Sequence, residues 1–412
     1  MVRLRTPQLL SGSRHGWGLV LSSIVVPGGQ AALIALIARG LTEGESARVF
    51  WLLSVSATTG VLADFGLRNT VYLDWREMTE RHAVAGTVRR LLEYKGVASL
   101  CSFAVMVIVA SLYGRGISLT ELLLWGVVAG TNYSADLGTS IMKGRRMGLT
   151  VARVALLDRS VTLVPLLALM VADSMTTLRV AFVLATAGAA RTIAALSMGV
   201  GFSGSPIGAS PEGLSLRDMF RRNAPAGLSI LASIGYLRSA VIVLPWVGGT
   251  SLIAPLTVAL SLREVGTTVG RLTTESAPAK LVVEVDRKGR AGRTPLIRAF
   301  LFSGLVAGGV VTARPVVTAV FDVRGLDTLV VFAFVGVLLV LMSVQSALRM
   351  VLVGVGRGYA ASILHGVGVV AVIASLVAVR PTDLTPVLAV LLAVDVVLLG
   401  LMIWTWRSRR LL

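Results

Sequence analysis

The sequence predicts an all-α polytopic membrane protein with about twelve transmembrane helices in two six-helix lobes, and three observations carry that prediction. The first is composition: of 412 residues, 55% are hydrophobic and 15% charged, with a mean hydropathy of +0.82. A soluble core of this size could not absorb so much apolar side chain without exposing it. The second is that the charges gather in every second loop. The third is an echo: Ala63-Asp64-Phe65-Gly66-Leu67-Arg68-Asn69-Thr70 closes an apolar run, and Arg263-Glu264-Val265-Gly266-Thr267-Thr268 does the same in the second half.

A span needs roughly 20 apolar residues at 1.5 Å each to cross about 30 Å of hydrocarbon. The first qualifying run, Trp17 to Ala38, follows Arg3, Arg5 and Arg14. It is too long for a cleavable signal and reads as a retained span. Ala47 to Leu67 ends on the acid of the echo, and Val97 to Tyr113 carries Cys101, expected in the core. Leu119 to Met142, Thr150 to Ala172 and Leu178 to Gly199 complete the first half. The Gly-, Ser- and Pro-rich stretch Phe202 to Pro211 marks the midpoint. Ala224 to Trp246, Leu252 to Leu272, Ala299 to Phe321, Leu326 to Leu348, Ala360 to Val379 and Thr385 to Trp406 form the second half. The expected division is an N-terminal lobe over 1–201, a cytoplasmic linker over 202–223 and a C-terminal lobe over 224–412.

The formal charge is +18, from 39 Lys plus Arg against 21 Asp plus Glu. An excess of that size raises nucleic acid as a partner, and its distribution removes it. The basic residues crowd the N terminus, Arg68 to Lys95, Lys143 to Arg153, Arg217 to Arg222, Arg271 to Arg298, Arg349 with Arg357, and the tail from Arg407 to Arg410. The other side holds only Arg39, Arg48, Arg115, Arg179, Arg314, Arg324 and Arg380. By the positive-inside rule both termini are cytoplasmic. The long segments after the second and eighth spans mix charge with apolar residues at helical spacing, as at Val84, Val88, Leu91 and Leu92, which predicts helices on the membrane surface. Six spans is an even number, so the halves are parallel repeats with a substrate site expected between them. The single Cys101 forms no internal disulfide, and His15, His82 and His365 are too scattered for a metal site. Asp64-Phe65-Gly66 lacks the context of a kinase magnesium motif, and Gly354-x-Gly356-x-Gly358 lacks the strand of a dinucleotide site. No catalytic residue or cofactor is predicted. Gly28, Gly29, Gly308 and Gly309 are expected to permit close helix packing.

The outer turn Arg39-Gly40-Leu41-Thr42, the helix end Ala63-Asp64-Phe65-Gly66-Leu67 and Ile141-Met142-Lys143-Gly144-Arg145 resemble the multidrug/oligosaccharidyl-lipid/polysaccharide exporter superfamily, and within it the polysaccharide or O-antigen flippases. The resemblance implies a V-shaped pair of lobes, with the first, second, seventh and eighth helices lining a central cavity. It also implies alternating-access movement of an isoprenoid-diphosphate-linked oligosaccharide across the bacterial plasma membrane, by a multi-pass protein without covalent catalysis. Membrane lipids and the lipid-linked glycan are the implied partners, contact with polysaccharide-assembly proteins is compatible with it, and a monomer is the expected functional unit.

Ionisable residues inside a membrane cost roughly 2.5 to 3.5 kcal/mol each and face a wet cavity or a partner. Here they are Asp136, Asp158, Arg159, Arg191, Arg238, Arg263, Glu264 and Asp395, with Asp64, Arg68 and Arg271 nearer the inner surface. On the resemblance, Arg238, Arg263 and Arg271 are substrate-binding, because guanidinium matches a diphosphate. Gln30 and Ser22 are expected on sugar hydroxyls, and Asp64, Arg68 and Glu264 at a gate or inter-lobe pair. The competing expectation pairs Arg263 with Asp64 as a lock between lobes. Arg159 and Arg191 are expected to pair with Asp136 or Asp158, and Asp395 to be structural. Two other functions remain: a cation-coupled multidrug exporter of the same fold, whose cavity should favour acids and aromatics, and an integral-membrane glycan polymerase or glycosyltransferase, which the short outer loops disfavour.

Overall fold

The computed structural model describes residues 14–65, 67, 71, 84–113, 117–145, 147–200, 216–275, 293–323, 326, 328–354 and 357–408. All regular structure among them is helical. The N-terminal half contains α1 (Arg14–Gly40), α2 (Glu43–Asp64), α3 (Val84–Tyr113), α4 (Leu119–Asn132), α5 (Ala135–Gly144), α6 (Gly148–Val171) and α7 (Thr177–Val200). The C-terminal half contains α8 (Leu216–Val243), α9 (Ile253–Glu275), α10 (Arg293–Thr312), α11 (Arg314–Phe321), α12 (Leu329–Gly354), α13 (Gly358–Val379) and α14 (Leu384–Arg407). Taking α4 with α5 and α10 with α11 as interrupted spans, these are the twelve predicted crossings.

Local chemistry sets the ends. Thr42 caps α2 by accepting from the Glu45 amide while Glu45 bonds back to the Thr42 amide. Ser118 caps α4, and Asp383 caps α14. Phe65 ends α2 in a left-handed conformation at φ 35°.

Among the described residues nine helices are long and apolar enough to span a membrane, and the α10–α11 pair, bent by 65°, makes a tenth. The two crossings that miss the criterion are informative. α9 carries Arg263 and Glu264 at mid-helix, and most of its side chains from Gly266 on lie outside those described. The fourth crossing misses because it breaks at Tyr133-Ser134, between α4 and α5. A break in hydrocarbon leaves carbonyls without partners. Here Arg191 donates to the carbonyls of Thr131 (3.1 Å) and Asn132, and Lys95 Nζ donates to that of Tyr133 (2.8 Å). Two cations thus hold the negative end of a half-helix inside the lobe.

The packing repeats. In each half the first crossing lies on the fifth (α1 on α6, α8 on α13), the second on the third and fourth, and the fourth on the sixth. α8 begins at Leu216, within the segment 202–223 predicted as linker, and 201–215 lie outside the described residues.

Three local expectations are corrected. Val84 to Leu92 do not form a separate surface helix, because α3 runs unbroken from Val84 and buries Leu91. Its spacing fits the lobe interior as well as a membrane surface. Cys101 is exposed on α3, not in the core, since the outside of this protein is apolar too. Gly28, Gly308 and Gly309 have open space where a Cβ would lie. Gly29 does allow a close approach, as expected, by the side chain of Arg159, and a further one occurs at Gly138, whose Cβ would strike the backbone of Ala195 on α7.

The lobes meet asymmetrically. We call the side where α1 begins and α14 ends the basic face. Towards the opposite face, one core cluster is continuous across both lobes, from Ile34, Ile37, Phe50 and Trp51 to Leu244, Leu252, Ile253 and Leu256. Trp51 Nε1 there donates to the carbonyl of Ile242, 3.0 Å away, at the frayed end of α8, and its ring meets Trp246 edge-on at 6.1 Å. Arg39, in the last turn of α1, donates to the carbonyl of Ala319 on α11. Towards the basic face the clusters are separate, one confined to each lobe, with a third along α2 and α3 that α8 touches through Ala224. Phe65 stacks on Phe220 of α8 at 4.6 Å in this last contact. Among the described residues, the core shared by the two lobes lies towards the opposite face.

Candidate functional site

Below that shared core lies a cavity of about 420 Å³ with walls from both lobes. α1 contributes Val26, Pro27, Gln30 and Ile34, and α2 contributes Ser54, Ser56 and Ala57. α8 and α9 face them with Ser233, Leu237, Arg238, Ser261, Glu264 and Thr268. So far the walls are the predicted ones. The remainder comes from helices expected only to support the lobe: Thr131 and Asn132 at the end of α4 with Tyr133 in the break, Asp158, Arg159 and Thr162 of α6, Arg191 of α7, and Met342, Ser346 and Arg349 of α12. Among the described residues the charged lining is four arginines (159, 191, 238 and 349) and two carboxylates (Asp158 and Glu264).

Arg238 and Glu264 form an ion pair of 2.5 Å across α8 and α9. Both belong to the C-terminal lobe, so Glu264 does not bridge the lobes through this pair. Asp158 lies 3.8 Å from Arg159 and 3.6 Å from Arg191. Those separations give Coulomb attraction without a hydrogen bond. The expected pairing of Arg159 and Arg191 with Asp158 is therefore present, but both guanidiniums also face the cavity. Arg159 reaches it across α1 at Gly29, where a Cβ would lie 2.6 Å from Arg159 Cγ and 2.8 Å from its Nε. Its buried Nε has no hydrogen-bond partner.

Arg263 is elsewhere. It does not line the cavity with Arg238, as the diphosphate clamp required, nor does it pair with Asp64. Its guanidinium is 0% exposed inside the C-terminal lobe and gives Asp395 of α14 two contacts from one nitrogen, at 2.8 and 2.7 Å. Tyr236 donates to the same carboxylate at 2.6 Å, Gln345 Nε2 at 3.1 Å, and the guanidinium lies 5.3 Å from the centre of the Tyr236 ring. Asp395 is structural, as expected. The reason is helix rotation: Glu264 lies on the cavity side of α9, and the neighbouring position is turned about 100° away.

Ser22 is also absent from the cavity lining; its hydroxyl bonds to the Leu19 carbonyl in its own helix. Gln30 is in the lining. Asp64 is buried and lies 3.7 Å from Lys95 of the same lobe, so this contact is intra-lobe and not the predicted inter-lobe pair. Arg271 falls on α9, but its side chain is not among those described, and Arg68 lies outside the described residues. Among the described residues no group of His, Cys, Asp and Glu is arranged to hold a metal ion.

An all-helical, two-lobed membrane protein with a polar cavity at the lobe interface is the class this geometry defines. Solved structures share its fold. The eukaryotic MATE transporter AtDTX14 is 17% identical, with a TM-score of 0.65, covering 96% of this chain and 97% of its own. An outward-facing multidrug resistance MATE transporter of the MOP superfamily is 16% identical with a TM-score of 0.61, covering 97% of this chain and 96% of that one. A MOP superfamily transporter from Pyrococcus furiosus Vc1 (DSM3638), described as having a binding pocket of reverse polarity that suggests a different function, is 14% identical with a TM-score of 0.57, covering 96% of each chain. No protein-family model matches the chain, and no curated protein matches it. At these identities the likeness shows the fold, which is the architecture the sequence predicted.

Proposed function

We propose that this protein is a transporter which moves an anionic amphiphile, an isoprenoid-diphosphate-linked oligosaccharide, across the bacterial plasma membrane by alternating access, with both termini cytoplasmic. The observation that supports it is the charge of the cavity: four arginines against two carboxylates, in a setting where every ionised group is costly. Guanidiniums stay ionised and offer paired donors to phosphate oxygens. The buried Arg159 Nε, 3.8 Å from Asp158 but in no hydrogen bond, has its donor capacity open to a phosphate oxygen. Hydroxyl and amide groups on both walls, Gln30, Ser54, Thr131, Asn132 and Ser233 among them, suit sugar hydroxyls.

The second reading is a cation-coupled multidrug exporter, favoured by the MATE transporters that share the fold. A cationic drug would enter this cavity against a net positive lining. The Pyrococcus furiosus transporter indicates that pocket polarity varies on this fold.

The test is transport in proteoliposomes of a fluorescent isoprenoid-diphosphate glycolipid against a cationic dye. Wild type should move the first and not the second. Arg159→Gln with Arg238→Gln should lose at least tenfold in lipid transport while the purified protein remains folded, with a melting temperature lowered only as far as the lost Arg238–Glu264 pair accounts for, which Arg238→Gln alone measures. Preference for the dye, or full lipid transport by the double variant, would overturn the reading.

A further inference from the structure

A second concavity, of about 730 Å³, lies towards the opposite face between α1, α6 and α11. Ala32, Leu36, Leu167, Val316 and Val320 line it, with Arg39 as the one charged residue among those described. It is separate from the polar cavity. Along α1 the groove takes positions 32, 35, 36 and 39, whereas the cavity takes 26, 27, 30, 31, 33 and 34; at about 100° per residue the two sets share no position and lie on opposite sides of the helix. Its walls come from both lobes: α1 and α6 belong to the N-terminal lobe, α11 to the C-terminal.

We propose that this groove is a phospholipid site, in which an acyl chain lies along α1, α6 and α11 with the lipid phosphate at Arg39, and that the bound lipid holds the lobes together at the opposite face. This is independent of what the central cavity carries. The walls are apolar and Val164 and Leu167, at 63% and 47% exposure, open onto the surroundings of the helices, which in a membrane are hydrocarbon. Arg39 stands in the last turn of α1, at the depth of the headgroups, and the groove descends from it to Ala32, about 10 Å at the rise of an α-helix. A cation at the headgroup end of an apolar trench complements one phosphate above its own acyl chain. A transported substrate with its headgroup in the polar cavity could not also lay its tail here, because α1 stands between.

The groove exists only while α11 is docked on α1, through the Arg39 contact to Ala319. A ligand that binds one of two states shifts the population towards it. Bound lipid therefore favours the state in which the lobes are joined at the opposite face.

The test uses the full chain, stripped of lipid in detergent, with spin labels at the exposed positions Glu43 and Ser251. Adding phosphatidylglycerol should raise the fraction of short inter-lobe distances at least threefold, and native mass spectrometry should retain the lipid. Val164→Trp fills the groove from an exposed position, so folding is unaffected, and leaves Arg39 in place. It should abolish both effects, Arg39→Gln should lower retention about tenfold, and Arg39→Lys should restore it. Wild-type retention in Val164→Trp, retention of an isoprenoid phosphate in preference to phospholipid, or distances indifferent to lipid would each overturn the proposal.

Discussion

Arg263 illustrates how a residue's surroundings, more than its type, decide its role. A guanidinium with no exposure is tolerable only because Asp395 neutralises it and Tyr236 and Gln345 complete the carboxylate's shell. Removing one partner of a buried pair typically costs about 3 to 5 kcal/mol, and replacing both with apolar groups costs far less. Arg263→Gln or Asp395→Asn should therefore each lower the melting temperature markedly, and Arg263→Met with Asp395→Leu should recover most of it. Melting curves of the purified variants decide this; independent losses that add would refute the pairing. The sequence shows both residues as intramembrane charges and cannot show the bond, since 132 positions separate them.

At the level of elements, Gly29 and the break in the fourth crossing shape the arginine-rich wall. Gly29 leaves room for Arg159 to cross α1, so Gly29→Ala should weaken binding of an isoprenoid diphosphate roughly tenfold, about 1.4 kcal/mol. In a double-mutant cycle with Arg159→Gln the losses should not add, because both act on one contact. Additive losses in a fluorescence binding assay would count against it. Gly29 was legible as a site of close packing but not as the passage for Arg159, and the break was not legible at all. Helix count and direction follow from hydropathy and the positive-inside pattern, which rest on the contrast between water and hydrocarbon. Rotation about each helix axis rests on the contrast between lipid and lobe interior, and both are apolar. The cavity faces of α6, α7 and α12 were therefore hidden, and Arg159 and Arg191 were expected to support a wall that they in fact form.

For the whole molecule, Trp51, through its contacts to Ile242 and Trp246, and Arg39, through Ala319, join the lobes on one side of the cavity. On the proposed function, alternating access requires that such contacts break. Trp51→Phe keeps an aromatic ring but loses the hydrogen bond, and it should shift labels at Glu43 and Ser251 towards longer separations. Pulsed spin-label distances measure this, and an unchanged distribution would show that the shared core alone keeps the face closed. The two-lobe plan was legible in the run of spans, but the echo that suggested it is out of register: Asp64 is the last residue of α2, whereas Glu264 sits at the middle of α9, and the two acids lie against Lys95 and Arg238 of their own lobes.

The Arg263 to Asp395 bond also sets a clock. With synthesis at about 5 to 20 residues per second, the carboxylate emerges roughly 7 to 26 s after the guanidinium it neutralises. During that interval α9 is a charged segment without its counterpart, poorly suited to rest in hydrocarbon. The second lobe cannot settle crossing by crossing as the chain is made; its final helix completes the membrane placement of its second.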